Sequence, residues 1–156
     1  MATTVRELRC PPAAVFRVLG QGWLYPVWVV GASRMRDVDA TWPRAGARLH
    51  HSVGVWPALI DDTTTCVEWE PPHRMTMTAR GWPAGEARVV IEVEPAPAGS
   101  VVRIHERAVR GPATLLPRAL ADPLLWWRNT ETLRRLAFVA ERMAATAPPD
   151  VSRPVG

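Results

Sequence analysis

Glu106 stands in a run where apolar and polar residues alternate. Val102, Ile104 and Ala108 share its parity, while Arg103, His105 and Arg107 fall between them. On an extended strand that period turns Glu106 to the same face as its apolar neighbours. A carboxylate there must find hydrogen-bond or cationic partners, or its pKa rises. It can act as a general acid or base, anchor a ligand hydroxyl, or form a structural pair with an arginine or with backbone N–H groups. His50 and His51 are adjacent, so on a strand they face opposite sides and cannot clasp one metal ion. Leu49, Val53 and Val55 share the parity of His51, which makes it the inward member. An imidazole is a proton shuttle near neutral pH, and a hydrogen-bonded core histidine is the alternative reading. Glu106 and His51 are the two catalytic candidates. His105 takes the opposite parity to Glu106 and faces solvent.

The remaining chemistry-bearing residues are those expected of an apolar pocket. The chain has eight tryptophans. Trp23, Tyr25 and Trp28 read as a lid, and Trp56, Trp69 and Trp126 as cavity wall, with plain core packing as the alternative because each ring carries a large apolar area. Asn129 stands beside an apolar helical stripe and can hydrogen-bond a ligand or a sheet residue. Val53, Met77, Ile91 and Leu133 complete the expected ligand-binding set. No H-E-x-x-H, G-x-S-x-G or P-loop pattern occurs, and Gly20-Gln21-Gly22 lacks the third glycine of a dinucleotide fingerprint. Cys10 and Cys66 have neither metal-site spacing nor a disulfide framework. No metal and no cofactor are expected.

The elements that position these residues follow from punctuation and period. Thr3 to Cys10 reads as a first strand anchored by Val5 and Leu8, stopped by Pro11-Pro12. Ala13 to Leu19 is a short helix, since proline is well tolerated in a first turn. Trp23 to Trp28 is a second short helix or an aromatic loop closed by Gly31. From Ser33 to Val109, turn signals at Trp42–Gly46, Asp61-Asp62, Pro71–His73, Pro83–Gly85 and Pro95–Gly99 separate runs of period two. That pattern predicts an antiparallel meander. Asp122 as N-cap and Pro123 at the first position open a long helix running to about Ala145. Its inward stripe is Trp126, Thr130, Leu133, Ala137, Ala140 and Ala144, and its outer face is Arg128, Glu131, Arg135 and Arg142. One helix covers such a sheet only by lying in its concave side, and the small residues on the stripe predict a gap between them: a ligand cavity, apolar with a few placed polar groups. The order is that of an α+β domain over residues 1–146, with 147–156 as a flexible tail.

The whole-chain balance narrows the partners. Net charge is +4, and every cationic side chain is arginine. The arginines are spread along the chain rather than gathered in a stripe, so no nucleic-acid partner is expected. Trp23 to Ala32 is too short to span a bilayer, so no stable membrane insertion is expected. Met1 to Pro12 has no apolar run of a signal peptide. The expectation is a cytoplasmic protein, monomeric or homodimeric.

In this order and spacing the chain resembles the START-like, or SRPBCC, superfamily, and within it the bacterial polyketide cyclase/dehydrase-like proteins. The resemblance rests on Pro12-Ala13-Ala14-Val15-Phe16, Trp28 with Gly31, and Trp42-Pro43 with Gly46. It continues through Glu70-Pro71-Pro72, Gly99-Ser100 leading to Glu106, and Arg128-Asn129 through Leu136. It covers about residues 3 to 144. It implies a helix-grip (Bet v 1-like) fold, a curved antiparallel sheet of about seven strands around the C-terminal helix with a hydrophobic pocket. The family holds lipid carriers, quinone binders, aromatic cyclases and chaperone activators, so the fold alone names no reaction. The expected role is binding of a hydrophobic small molecule, polyketide, lipid or quinone-like. Its alternatives are a polyketide cyclase or dehydratase using Glu106 and His51, or a protein-interaction module without ligand.

Overall fold

The computed structural model describes residues 2–81 and 85–147. Strand β1 (Ala2–Leu8) is followed by helix α1 (Pro12–Gly20), a 3-10 turn (Gly22–Leu24) and the one-turn helix α2 (Tyr25–Trp28). Six strands follow: β2 (Ala32–Val38), β3 (Arg48–Val55), β4 (Ala58–Glu70), β5 (Arg74–Gly81), β6 (Gly85–Ala96) and β7 (Gly99–Arg110). A 3-10 turn (Pro112–Leu115) leads into helix α3 (Arg118–Thr146). The strands form one antiparallel sheet in the order β1-β7-β6-β5-β4-β3-β2. Register shifts between β2 and β3, β4 and β5, and β6 and β7 add local bend and twist. The result is the expected α+β helix-grip arrangement, a curved sheet with α3 in its concave side. Leu49, Met75, Ile91 and Ile104 from the sheet and Leu133 and Leu136 from α3 join in a single core cluster.

Several sequence-based expectations are corrected. Val5 is 54% exposed, and Ala2, Thr4 and Leu8 are the buried side of β1, because Val5 takes the parity of the solvent face. Asp61 and Asp62 do not form a turn; they lie inside β4, and the hairpin tip is Val55–Ala58, where Trp56-Pro57 reverses the chain. Helix α3 begins at Arg118, not after Asp122. The carbonyl of Pro117 accepts from the N–H groups of Leu120 and Ala121 at 2.9 and 3.1 Å, which starts the helix and leaves Pro123 inside it. The expected turn at 83–85 lies outside the described residues apart from Gly85, which opens β6, and the expected tail lies outside them beyond Ala147.

The small residues of α3 also act differently from expectation. Ala137 and Ala140 are 4% and 0% exposed, so they leave no gap. They let α3 approach closely, and its packing is mainly on β1, α1 and α2. The space lies at the other end. The first turns of α3 stand off the sheet, with only slight contact to β7.

A candidate ligand cleft floored by an ion pair

A cleft of about 590 Å³ separates the first turns of α3 from the ends of β5, β6 and β7. Strand register explains the space. Ala79 pairs with Ala87, and Ala87 with Ala108, so a row of methyl groups crosses three neighbouring strands where larger side chains would fill the gap. Leu116, Leu124 and Leu125 form the opposite wall, and of the charged residues that also line the cleft, Arg80, Glu86, Glu106, Arg107, Asp122 and Arg128, Glu106 alone is buried. A smaller groove of about 330 Å³ runs along the outer side of α3 between Arg6, Val27 and Phe138, and none of the sequence-predicted site residues lines it.

Glu106 is 3% exposed, inward as its strand parity requires. Its cation is Arg128, whose Nη2 donates to Oε1 and Oε2 at 2.6 Å each. Arg128 was expected on the outer face of α3. It sits on the helix flank, and its long side chain carries the guanidinium round to the cleft while remaining 37% exposed. Among the described residues Arg128 Nε is buried without a hydrogen-bond partner, as is Nδ2 of the adjacent Asn129, which is 2% exposed.

Deeper in the sheet is a second polar group. His51 is 3% exposed, and its Nε2 lies 2.9 Å from Thr64 Oγ1, which lies 3.0 Å from Tyr25 Oη. The Tyr25 ring stacks on His51 with centroids 5.1 Å apart, and Trp28 packs edge-on against Tyr25. Burial holds His51 below its ordinary pKa, opposed by the carboxylate of Asp62 and helped by Arg36. Burial also raises the Tyr25 phenol above its ordinary value, against the Thr64 hydrogen bond and the charge of Arg128. The chain Tyr25–Thr64–His51 is therefore a hydrogen-bonded relay of neutral groups, with His51 Nδ1 unpartnered among the described residues.

That state of His51 has a pH signature. Its folded pKa lies below the unfolded value of 6.5, so below that pH the unfolded chain binds more protons than the native protein. Stability is fully present above pH 6.5 and is lost as pH falls from there through the folded pKa. His51→Gln, which keeps an amide near Thr64, is expected to flatten this part of the melting-temperature profile. An unchanged slope would assign the acid sensitivity to another group.

The other expected site residues divide clearly. Tyr25 and Trp28 are buried, and Met77, Ile91 and Leu133 are core residues at 3%, 0% and 0% exposure. Val53 is half-buried, and Trp69 packs on Phe16 at 5.1 Å between ring centroids. None of them lines the cleft; Glu106 alone of the expected set does. Trp56 and Trp126 are not wall residues. Trp56 is 81% exposed because it caps the β3–β4 tip, and Trp126 is 57% exposed because it lies where α3 stands off the sheet. Trp23 is 61% exposed. His50 and His105 face away from the core, held by Asp39 and by Thr3 and Glu92. Arg128 and Thr64 were missed, as was the alanine row. The one available signal for Arg128 was the demand of an inward Glu106 for a cation. Among the described residues no cluster of three or more His, Cys, Asp or Glu side chains is arranged to hold a metal ion, and no helix is long and apolar enough to cross a membrane.

The fold is shared with solved structures of low sequence identity. A protein from Nitrosomonas europaea superposes with a TM-score of 0.69 at 20% identity, covering 92% of this chain and 95% of that one. A protein from Rhodobacter sphaeroides gives 0.69 at 19% identity, covering 94% and 93%. The di-domain ARO/CYC StfQ from the steffimycin biosynthetic pathway gives 0.72 at 12% identity, covering 92% of this chain and 51% of that one. No curated protein matches the sequence. Residues 2–141 match the family described as polyketide cyclase / dehydrase and lipid transport, and with nearly its whole length inside that match the chain belongs to this family.

Proposed function

We propose that the protein binds a hydrophobic small molecule, polyketide, lipid or quinone-like, in the cleft between α3 and the ends of β5–β7. The observation that carries the reading is the cleft itself: about 590 Å³, lined by alanines and leucines together with charged residues, of which the buried Glu106 is paired to Arg128. Its size is that of a small-molecule pocket, and its alanine and leucine side chains give an apolar guest a surface while the polar residues among them orient it. The family description and the likeness to ARO/CYC proteins support the same ligand class.

Acid–base catalysis is the second reading, favoured by the buried His51 relay and its free Nδ1. Binding ranks above it because His51 does not line the cleft, and both oxygens of Glu106 are already engaged by Arg128. Titration with a fluorescent fatty acid and with an anthraquinone tests binding. At least one is expected to saturate, and Ala108→Trp, which fills the cleft from β7, is expected to weaken it more than about tenfold. Equal binding by wild type and Ala108→Trp would place the guest elsewhere. Loss of turnover of a genuine substrate in His51→Gln, with binding intact, would favour the enzyme.

A further inference from the structure

The arginines are scattered along the sequence, and strand register gathers four of them on the convex face of the sheet, the face turned away from α3. Met75 and Met77 of β5, Ile91 and Val93 of β6, and Val102 and Ile104 of β7 are buried on the concave side, so the residues that alternate with them face solvent. On that face Arg88 and Arg107 are directly opposite each other. Both are exposed, and among the described residues neither meets a carboxylate. One step toward the strand ends, Arg80 and Arg110 flank Glu86 in register and share it, at 3.9 and 4.0 Å. Four guanidinium groups thus stand against one carboxylate on three adjacent strands, a patch about 10 Å across. Arg80, Glu86 and Arg107 stand at the rim of the sheet, which is why they also border the cleft.

The same face changes sign along the strands. Toward its other end Arg74, Arg103 and His105 stand against Glu68, Glu70, Glu92 and Glu94. There the cations are taken: Arg74 closes on Glu92 and Arg103 on Glu94, each at 2.6 Å, and His105 on Glu92 at 3.2 Å. The excess of arginine is therefore local to the patch. Like charges directly opposite on neighbouring strands repel, and an anion placed between two guanidinium groups relieves them through charge-assisted hydrogen bonds.

We propose that this patch docks a short acidic segment of another protein, whose carboxylates bridge Arg88 and Arg107 and supply Arg80 and Arg110 with the partner that Glu86 only half provides. The extent of the patch selects this occupant. A nucleic acid, or any long polyanion, would run from the patch onto Glu92 and Glu94, and β5, β6 and β7 carry no phenylalanine, tyrosine or tryptophan on which a base could stack. A second copy of the chain would bring the same outward curve, and two convex faces touch over too small an area for a stable pair. The patch lies on the face opposite α3, so the proposal stands whatever the cleft holds.

Fluorescence anisotropy of a dye-labelled hexaglutamate peptide, titrated with the full chain at low ionic strength, is the experiment. Wild type is expected to bind it saturably, Arg88→Gln and Arg107→Gln each about fivefold more weakly, and Arg88→Gln/Arg107→Gln about twentyfold more weakly. Arg34→Gln is the charge-matched control. Arg34 is exposed on the edge strand β2 and forms no ion pair among the described residues, so its loss is expected to leave binding unchanged. All three arginines are exposed, so the variants are expected to fold as wild type does. Wild type that does not bind the peptide overturns the proposal. Equal weakening by Arg34→Gln does so too, by reducing the effect to net charge. So does a single-stranded oligonucleotide that wild type binds more tightly than the peptide and Arg88→Gln/Arg107→Gln does not, which would assign the patch to nucleic acid.

Discussion

Gly99→Ala is expected to lower the free energy of unfolding by about 4 kcal/mol, read as a lower urea midpoint. Gly99 has φ +145°, a region that residues with a side chain rarely adopt. A Cβ added there meets the backbone N of Cys10 at 2.5 Å, the Leu8 carbonyl oxygen at 2.6 Å and the Cys10 carbonyl oxygen at 2.7 Å. These are backbone atoms, so relief requires moving the chain where β1 leaves the sheet for α1. Ser100 fastens the same point, its hydroxyl donating to the Cys10 carbonyl at 2.9 Å. Gly46→Ala is the matched comparison. Gly46 has φ +88° but nothing within 4 Å of a new Cβ, so backbone strain alone is expected, about 1 kcal/mol. Equal losses from the two substitutions would remove the close approach as the reason for Gly99.

The same corner shows why the fold was largely legible in the sequence. Period two in Met75–Ala79, Ala87–Val93 and Val102–Ala108 marks strands, and prolines and glycines mark most of the ends. Those signals are local, and so is the geometry that answers them. The errors fall where local signals mislead. Asp61-Asp62 resembles a turn, but Asp61 accepts from Ser52 across β3 and β4, so the pair belongs to a ladder. Pro123 resembles a helix start, but the chain had already closed its first turn on the Pro117 carbonyl.

The site was legible one residue at a time and not as a place. Parity alone turned Glu106 and His51 inward, and both are 3% exposed. Position in the sheet depends on register, which no single strand reveals. The row Ala79–Ala87–Ala108 exists only once three strands are aligned. Tryptophan count pointed to cavity walls, yet the cleft is made by alanines, whose small volume is what leaves room. Arg128 was assigned by helical angle to the outer face, and a long side chain is not bound by the angle of its Cα.

Arg128→Met is expected to cost about 3 kcal/mol, because it leaves the buried Glu106 carboxylate without its cation. The figure is set at the lower end for such a loss, since the Arg128 side chain is 37% exposed and the cleft admits water. Glu106→Gln is expected to cost less, about 1 kcal/mol, since the guanidinium left behind reaches water directly. The double variant Glu106→Leu/Arg128→Met removes both charges and is expected to return close to wild-type stability. Urea unfolding of wild type, Glu106→Leu, Arg128→Met and the double variant measures the coupling, and a cost for Glu106→Gln above that for Arg128→Met would reverse the asymmetry and refute the assignment of buried and exposed partners. The double variant also separates structure from function. A pair kept for stability alone has no effect on the guest once both charges are gone. A pair that orients a guest is missed by ligands bearing a carbonyl or hydroxyl, which should bind Glu106→Leu/Arg128→Met more weakly than wild type, while a plain hydrocarbon chain binds equally or better.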